Sequence, residues 1–209
     1  MAASPAPRLY NLPMQSGEAV EFSLRRPLAT ALALIRSVLF SPRSFFLDFP
    51  AEGPMREPAV FVLLVGSVTG ALTAAVALLS GLVFGHLSAA EVGLTALEAV
   101  LFALLSPLAV GVVAGVYLLS IRIFVGKVAS FREVYRMAAY TFGAMILAWT
   151  PLVGAFVTAY ALMVLMGIGI RLVYRTSSLT AVVTVLAGFV PVAVALIWLR
   201  LTTAGLASL

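Results

Sequence analysis

The segment from Ser130 to Arg175 constrains this chain most, because residues 137–170 within it carry no charge at all. A helix needs about 17 to 25 apolar residues to cross a bilayer, so this run of 34 residues is just long enough for two short crossings. Thr150 and Pro151 lie near its middle, where proline ends a helix and favours a tight turn. The segment therefore predicts a transmembrane helical hairpin with basic residues at its entry and at its exit.

The composition places the whole chain in the same class. Of its 209 residues, 63% are apolar and 10% charged, and the mean hydropathy is +1.14, whereas about a quarter of residues are charged in soluble domains. Several uncharged segments of about 18 residues or more indicate a polytopic membrane protein. The net charge of +5 lies mostly beside these segments, without a basic stripe of interleaved aromatics, so no nucleic-acid partner is expected. The chain has no cysteine, which excludes disulfides and thiolate chemistry.

The amino-terminal part divides into a tail and a membrane-associated segment. Residues 1–27 are rich in Ala, Pro and polar residues and predict a flexible tail. The apolar run 28–40 is too short to cross a bilayer, so residues 28–58 predict an interfacial segment containing an amphipathic helix. Its apolar face would carry Leu28, Leu32, Ile35 and Leu39, and the phenylalanines of residues 45–49 would lie in the headgroup zone. The alternative for residues 28–40 is the apolar part of a signal peptide.

Five spans follow, so the predicted fold is an all-α, polytopic bundle of five transmembrane helices. The membrane domain covers residues 59–201, with spans near 59–84, 94–125, 135–150, 152–174 and 179–201, and residues 202–209 form a short tail. Twelve of the thirteen lysines and arginines fall on one side of these spans, and only Arg200 falls on the other. The positive-inside rule then predicts a protein of the cell membrane with a cytoplasmic amino terminus and an outer carboxyl terminus.

Two pairs of glycines have the GxxxG spacing that lets helices approach closely in lipid. Gly66 and Gly70 lie in the first span, and Gly111 and Gly115 lie in the second. The second pair is a plausible mate for the first within one chain, and homodimerisation is the alternative.

The polar candidates are few. Glu98 lies inside the second span, where it would either reach water at the membrane edge or handle protons or ions. Arg132, Arg136 and Arg171 flank the central hairpin and are weak candidates for a polar function. Ser130 and Glu133 have capping-box spacing, which explains Glu133 without catalysis.

No catalytic, metal or cofactor site is predicted. His86 has no second histidine, and the chain has no Walker or dinucleotide motif.

Three stretches resemble the Yip family of Ypt/Rab-interacting membrane proteins, in particular its prokaryotic members. They read SPRSFF followed by PMREPAVFVLLVGSVTG, then GKVASFREVYRMAAYTFGAMILAWTPLVG, then IRLVYRTSSLTAVV, and together they cover roughly residues 34–192. The resemblance implies a five-span bundle with a cytoplasmic amino terminus. In eukaryotic relatives it implies vesicle traffic, binding of small GTPases and membrane shaping. GTPase binding is not carried over, because the amino-terminal region of this chain is short.

The sequence thus favours a non-enzymatic membrane protein that organises the bilayer or scaffolds proteins. Its partners would be the lipid bilayer and other membrane proteins or further copies of itself. The alternative function is a small permease or channel, suggested by Glu98 and by the helix-breaking Pro107, Pro151 and Pro191.

Overall fold

The described chain is helical throughout. The structure, a computed structural model, describes residues 21–150 and 153–207. Its α-helices are α1 (Pro27–Phe40), α2 (Pro42–Leu47), α3 (Arg56–Val83), α4 (Ala89–Phe124), α5 (Phe131–Thr141), α6 (Gly154–Ala159), α7 (Met166–Val173) and α8 (Ser178–Ala207). A 3₁₀-helix, Phe142–Leu147, continues α5, and a π-helix, Tyr160–Leu165, joins α6 to α7. These residues contain no strand, so the all-α prediction is confirmed.

Four segments are long and apolar enough to cross a membrane, which makes the fold a polytopic helical bundle as predicted. They are α3, α4, the run Gly154–Val173 and the part of α8 from Ser178 to Trp198. Some helices extend beyond the predicted spans. Helix α4 begins at Ala89, five residues earlier than the second span, because Ser88 and Glu91 form both hydrogen bonds of a capping box. Helix α8 continues to Ala207, through most of the predicted carboxyl-terminal tail.

The third predicted span is the central element of the bundle. Helix α5 and its 3₁₀ continuation together extend about 28 Å, close to the ~30 Å of a hydrocarbon core. They pack against α1, α3 and α4, and α5 also contacts α7. Every residue from Val134 to Thr141 is buried. Because protein rather than lipid surrounds this helix, it tolerates polar side chains that a lipid-facing span would exclude.

The first glycine pair lies in the contact between α3 and α4. A Cβ atom on Gly66 would come within 2.6 Å of Ser106 Oγ, and one on Gly70 within 2.9 Å of the Ala99 carbonyl oxygen. Such distances leave no room for a side chain, so glycine sets how closely the two helices approach.

The second glycine pair does not mate with the first, contrary to the prediction. Gly111 faces the ring of Tyr135 at 3.8 Å, and nothing lies within 4 Å of a Cβ atom on Gly115. Helices α3 and α4 form an antiparallel hairpin closed by residues 84–88, so the level of Gly66 and Gly70 corresponds to residues 99–106 of α4. Gly111 and Gly115 therefore lie level with the beginning of α3.

Helix α1 packs on the bundle with Ala31, Leu34 and Val38, which are buried. The predicted apolar face is divided: Ile35 and Leu39 are partly buried against the core, whereas Leu28 and Leu32 are 72% and 69% exposed. The exposed pair is free to contact lipid, as predicted for a membrane-associated helix, but the helix also packs on the protein.

Helices α1 and α2 form a short hairpin against the third span. Ile35 of α1 lies beside Gly143, with Cγ1 3.4 Å from the position of a Cβ atom there. Leu39 and Phe40 share an apolar groove with Leu147, so α1 runs alongside the span toward its far end. Helix α2 then returns toward the beginning of the third span, where Phe46 lies beside Gly169 of α7. We call residues 21–54, which contain both helices and their flanking segments, the amino-terminal hairpin.

The phenylalanines of α2 lie inside the protein, which corrects their predicted place in the headgroup zone. Phe45 and Phe46 are buried. Phe46 Cε1 is 3.0 Å from the position of a Cβ atom on Gly169, so the absence of a side chain on α7 makes room for the ring. Residues 1–20 of the predicted tail lie outside the described residues, but Phe22 is packed at 1% exposure.

Gly70→Ala and Gly115→Ala provide a matched test of the α3–α4 contact. We expect Gly70→Ala to lower the free energy of unfolding by about 1–3 kcal/mol, because the new methyl group meets backbone rather than a flexible side chain. Gly115→Ala should leave it unchanged or raise it by a few tenths of a kcal/mol, since alanine is the better helix former and the space is open. Unfolding of the purified protein in mixed micelles measures both. Equal losses would contradict the described packing.

Candidate functional site

Arg136 is the best-connected polar residue in the described chain. It lies on α5 and its side chain is completely buried. Its Nε donates to the Pro50 carbonyl oxygen at 2.8 Å, and its Nη1 donates to the Pro54 carbonyl oxygen at 3.2 Å. Its Nη2 donates to the Glu21 carboxylate and, at 3.4 Å, to the Tyr140 hydroxyl. One guanidinium therefore holds both ends of the amino-terminal hairpin.

Gly53 makes room for this guanidinium. A Cβ atom on Gly53 would lie 2.7 Å from Arg136 Nη1, and the backbone of Gly53 has a φ of +133°, which side chains other than hydrogen rarely permit. The loop between α2 and α3 can thus wrap the arginine and present its carbonyl oxygens.

Aromatic rings enclose the arginine from the interior. The Tyr140 ring centroid is 5.7 Å from the guanidinium carbon, within the range of a cation–π contact. The same ring packs edge-on against Phe61 at 5.8 Å and Phe45 at 6.0 Å. Phe22 packs on Phe61 at 5.6 Å. The cluster joins the third span, α3 and both ends of the amino-terminal hairpin in one contact.

The other two candidate arginines have no such surroundings. Arg132 and Arg171 are exposed, and neither makes a hydrogen bond or ion pair with the part of the chain that is described. Ser130 accepts a hydrogen bond from the Glu133 amide at 3.2 Å, which caps α5. The reciprocal bond from the Ser130 amide to the Glu133 carboxylate is not formed, so the predicted capping box is only half present. Arg136 alone of the predicted arginines belongs to a polar cluster.

A recess of about 800 Å³ lies at the other end of α3 and α4. It is bounded by the second half of α3, the first half of α4, the end of the third span and the beginning of α6. The lining residues are Thr69, Gly70, Thr73, Ala74, Val76, Ala77, Ser80, Thr95, Glu98, Ala99, Phe102, Met145, Ala148, Trp149, Thr150, Gly154, Ala155 and Thr158.

Glu98 lines this recess and is exposed to it. Among the described residues its carboxylate has no hydrogen-bond or ion-pair partner, and the lining contains no lysine, arginine or histidine. Glu98 is therefore neither buried in the α3–α4 contact nor paired with a basic side chain of the lining. The described residues also contain no group of three His, Cys, Asp or Glu side chains that could hold a metal ion.

Tyr117 joins three spans on the side of α4 that faces α8. Its hydroxyl donates to the Leu162 carbonyl oxygen within the π-helix, where the widened turn frees the backbone for an outside partner. Its ring fits against Gly188 of α8, where a Cβ atom would lie 2.8 Å from Cδ1. Tyr117 was not among the residues predicted from the sequence.

Glu21 and Gly53 were likewise absent from the residues predicted from the sequence. Glu21 lies in the part assigned to a flexible tail, and no local pattern connects it to a residue more than a hundred positions away. Gly53 lies in a short loop with nearby prolines. This pattern predicts a turn, but it does not predict that the turn surrounds the Arg136 guanidinium. Only the i, i+4 spacing of Arg136 and Tyr140 could have indicated that these two side chains meet.

These features define a multi-pass helical membrane protein whose short amino-terminal hairpin is anchored by an internal arginine. A family model described as the Yip1 domain matches residues 36–200. The chain therefore belongs to the Yip family, as its motifs suggested. No curated protein and no solved structure matches it significantly.

Arg136→Lys and Arg132→Lys test the role of the guanidinium. Lysine keeps the charge but cannot reach the two proline carbonyl oxygens and Glu21 together, so we expect Arg136→Lys to lower the free energy of unfolding by about 2 kcal/mol. Arg132→Lys, one turn earlier on the same helix, should change it by less than about 0.5 kcal/mol. Unfolding in mixed micelles measures both variants. Limited proteolysis should cut the amino-terminal hairpin faster in Arg136→Lys alone, and equal cleavage of the two variants would contradict the anchoring role.

Proposed function

We propose that this chain is a non-enzymatic membrane protein that organises or shapes the bilayer around it. The observation that carries the proposal is the amino-terminal hairpin, which enters and leaves the bundle at the level of Arg136. Neither of its helices is long enough to cross a bilayer, since α1 extends about 21 Å and α2 about 9 Å. The hairpin thus adds volume beside the bundle only from the level of Arg136 to that of Leu147, and none beside the α3–α4 turn.

The unequal width of the two ends of the bundle supports a role in membrane shaping. At the level of Arg136 the spans are joined by the two helices of the hairpin, which are absent from the end near the α3–α4 turn. A bundle whose cross-section differs between its two ends displaces unequal amounts of lipid in the two leaflets and favours curvature. Arg136 stabilises this shape by fixing both ends of the hairpin to the central helix.

The outward face of α1 supports direct contact with lipid. Leu28, Leu32 and Phe40 are 72%, 69% and 79% exposed and lie four or eight residues apart, which places them on one helical face. Arg36 lies on the same face and is also exposed. An arginine among lipid-facing leucines covers apolar surface with its stem and extends its guanidinium along the helix toward lipid phosphates.

We further propose that both ends of the hairpin lie at the cytoplasmic face of the cell membrane. The distribution of lysines and arginines in the sequence supports this orientation, because twelve of thirteen precede the first predicted span or lie in or beside the connections on the same side of the spans. The bilayer is then the primary partner, and other membrane proteins or further copies of this chain are the proposed protein partners. Exposed Leu79, Leu82 and Phe84 at the tip of the α3–α4 hairpin offer such partners an apolar surface.

A small permease or channel is the second candidate, and the recess beside Glu98 favours it. A pathway from the recess toward Arg136 between α3 and α4 would have to pass Gly66 and Ser106, which leave no space between the two helices. Ser106 also donates its hydroxyl hydrogen bond within α4, to Ala103 at 2.8 Å. This packing favours membrane organisation over transport.

The shape of reconstituted vesicles tests the membrane-organising role. We expect the full-length protein to narrow the vesicles or draw them into tubules as its density rises. The double variant Leu28→Glu/Leu32→Glu should lose this effect, because charges on the outward face of α1 cannot enter the leaflet. Electron cryomicroscopy measures the vesicle diameters.

Leu87→Glu is the control, because Leu87 lies in the loop between α3 and α4, away from the amino-terminal hairpin. It should shape vesicles as the unchanged protein does. Vesicles of the same diameter with and without the unchanged protein would overturn the proposal. Crosslinking in native membranes that recovers lipid and no protein would exclude the scaffolding part of it.

Reporter fusions test the proposed orientation. A reporter that is active only in the cytoplasm should work at the amino terminus and fail at the carboxyl terminus, because an odd number of spans places the termini on opposite sides. The reverse reporter, active only outside, supplies the complementary measurement. An amino-terminal reporter found outside the cell would contradict the orientation.

A further inference from the structure

The recess between the second half of α3 and the first half of α4 contains polar side chains whose hydrogen-bonding capacity is unused. The hydroxyls of Thr73, Ser80 and Thr95 line it and make no hydrogen bond with any described residue. Elsewhere in the same helices hydroxyls donate to the carbonyl oxygen four residues earlier, as Ser67 does to Leu63 at 2.8 Å. The free hydroxyls are therefore confined to one place, where they can serve a ligand.

Glu98 gives this place a negative charge. It lies nine residues, or about 14 Å, inside the amino-terminal end of α4, within an otherwise apolar stretch. A carboxylate at such a position is costly unless a cation compensates it. The described lining supplies no cation, so the carboxylate is available to a cation from outside the chain.

The size and chemistry of the recess indicate an organic cation. A volume of about 800 Å³ is far larger than the space of one water molecule, ~30 Å³, and lies within the range of small-molecule sites. A single carboxylate with hydroxyls is a poor donor set for a metal ion, which prefers several carboxylate or imidazole ligands. Trp149 also lines the recess, and tryptophan is the aromatic side chain that attracts organic ammonium groups best.

We propose that the recess binds an organic ammonium group, with Glu98 as its counter-ion, the hydroxyls of Thr73 and Thr95 as hydrogen-bond acceptors and Trp149 beside it. The ammonium can belong to a lipid headgroup such as that of phosphatidylethanolamine, or to a free amine. The site is independent of the membrane-shaping role, because it lies at the end of α3 and α4 remote from the amino-terminal hairpin.

Trp149 supplies a reporter within the site. The chain has two tryptophans, so Trp198→Phe leaves Trp149 as the single one. The full-length Trp198→Phe protein in nonionic detergent is titrated with ethanolamine, with dihexanoyl-phosphatidylethanolamine and with dihexanoyl-phosphatidylglycerol. We expect a saturable change of Trp149 emission with at least one of the two amines and none with the anionic glycerol lipid.

Substitutions at the recess identify the counter-ion. Glu98→Gln removes the charge at nearly constant size and should weaken amine binding about tenfold or more, as expected for a charged hydrogen bond. Thr95→Val, which keeps the shape and the charge, should weaken it about threefold. Glu91→Gln is the matched control, because Glu91 lies two turns earlier on α4, bonded to Ser88 and outside the lining, and its effect on amine binding should be negligible.

The outcomes separate the sources of the amine. Saturation by ethanolamine shows that the ammonium suffices, whereas saturation by the lipid alone shows that the headgroup is held together with its chains, and both support the site. Equal responses to the amine and glycerol lipids would overturn the proposal, as would undiminished amine binding by Glu98→Gln. If Glu98→Gln does not fold as a monodisperse protein, undiminished amine binding by Thr95→Val overturns it instead.

Discussion

The guanidinium of Arg136 is a charge inside an apolar bundle, and the arrangement around it depends on making that charge tolerable. A buried charge costs several kcal/mol unless nearly all its donors are paired. Here the donors reach two backbone carbonyl oxygens, one carboxylate and one hydroxyl, each from a different turn or segment. These partners can converge only if the chain folds back after α2 and crosses Arg136 again before α3. The loop around Gly53 makes that return possible, so the charge and the amino-terminal hairpin require each other.

The same requirement explains why the central helix has so little apolar character for a membrane span. Helix α5 carries Arg136, Thr141 and two tyrosines, yet all of its residues from Val134 onward are buried. The amino-terminal hairpin covers a side of this helix that would otherwise face lipid. A span enclosed by other helices is selected for packing and hydrogen bonding rather than for transfer into hydrocarbon. The four outer spans, which do face lipid, have the high hydropathy that α5 lacks.

The difference between enclosed and lipid-facing helices also decides what could be predicted from the sequence. The lipid-facing spans follow from hydropathy alone, and the capping box at Ser88 fixes where α4 begins. The partner of Gly66 and Gly70 on α4 could not be predicted without knowing which residues of the two antiparallel helices lie at the same level. Ala99, Ala103 and Ser106 occupy that level, and these small residues allow close packing as glycines would. The burial of Phe22, Phe45 and Phe46 depends on contacts that are distant in sequence, with Phe61, Tyr140 and Gly169 respectively. Apolar residues in a short segment look alike whether lipid or protein covers them, so the amino-terminal hairpin could not be distinguished from a helix lying on the surface.

The charged residues at the two ends of the α3–α4 pair have opposite surroundings. Arg136 at one end is bonded to protein groups, whereas Glu98 at the other end has no bonded partner among the described residues. Near Arg136 all three nitrogens of the buried guanidinium donate to protein acceptors, and Gly53 and the aromatic rings pack closely around it. Beyond Gly70 the helices separate, hydroxyls remain free and Glu98 has no protein cation in its recess. The packed middle at Gly66 and Ser106 prevents one end from compensating the other. A protein that only needed stability would pair or remove the carboxylate, so the unpaired end is where an external ligand has most to contribute.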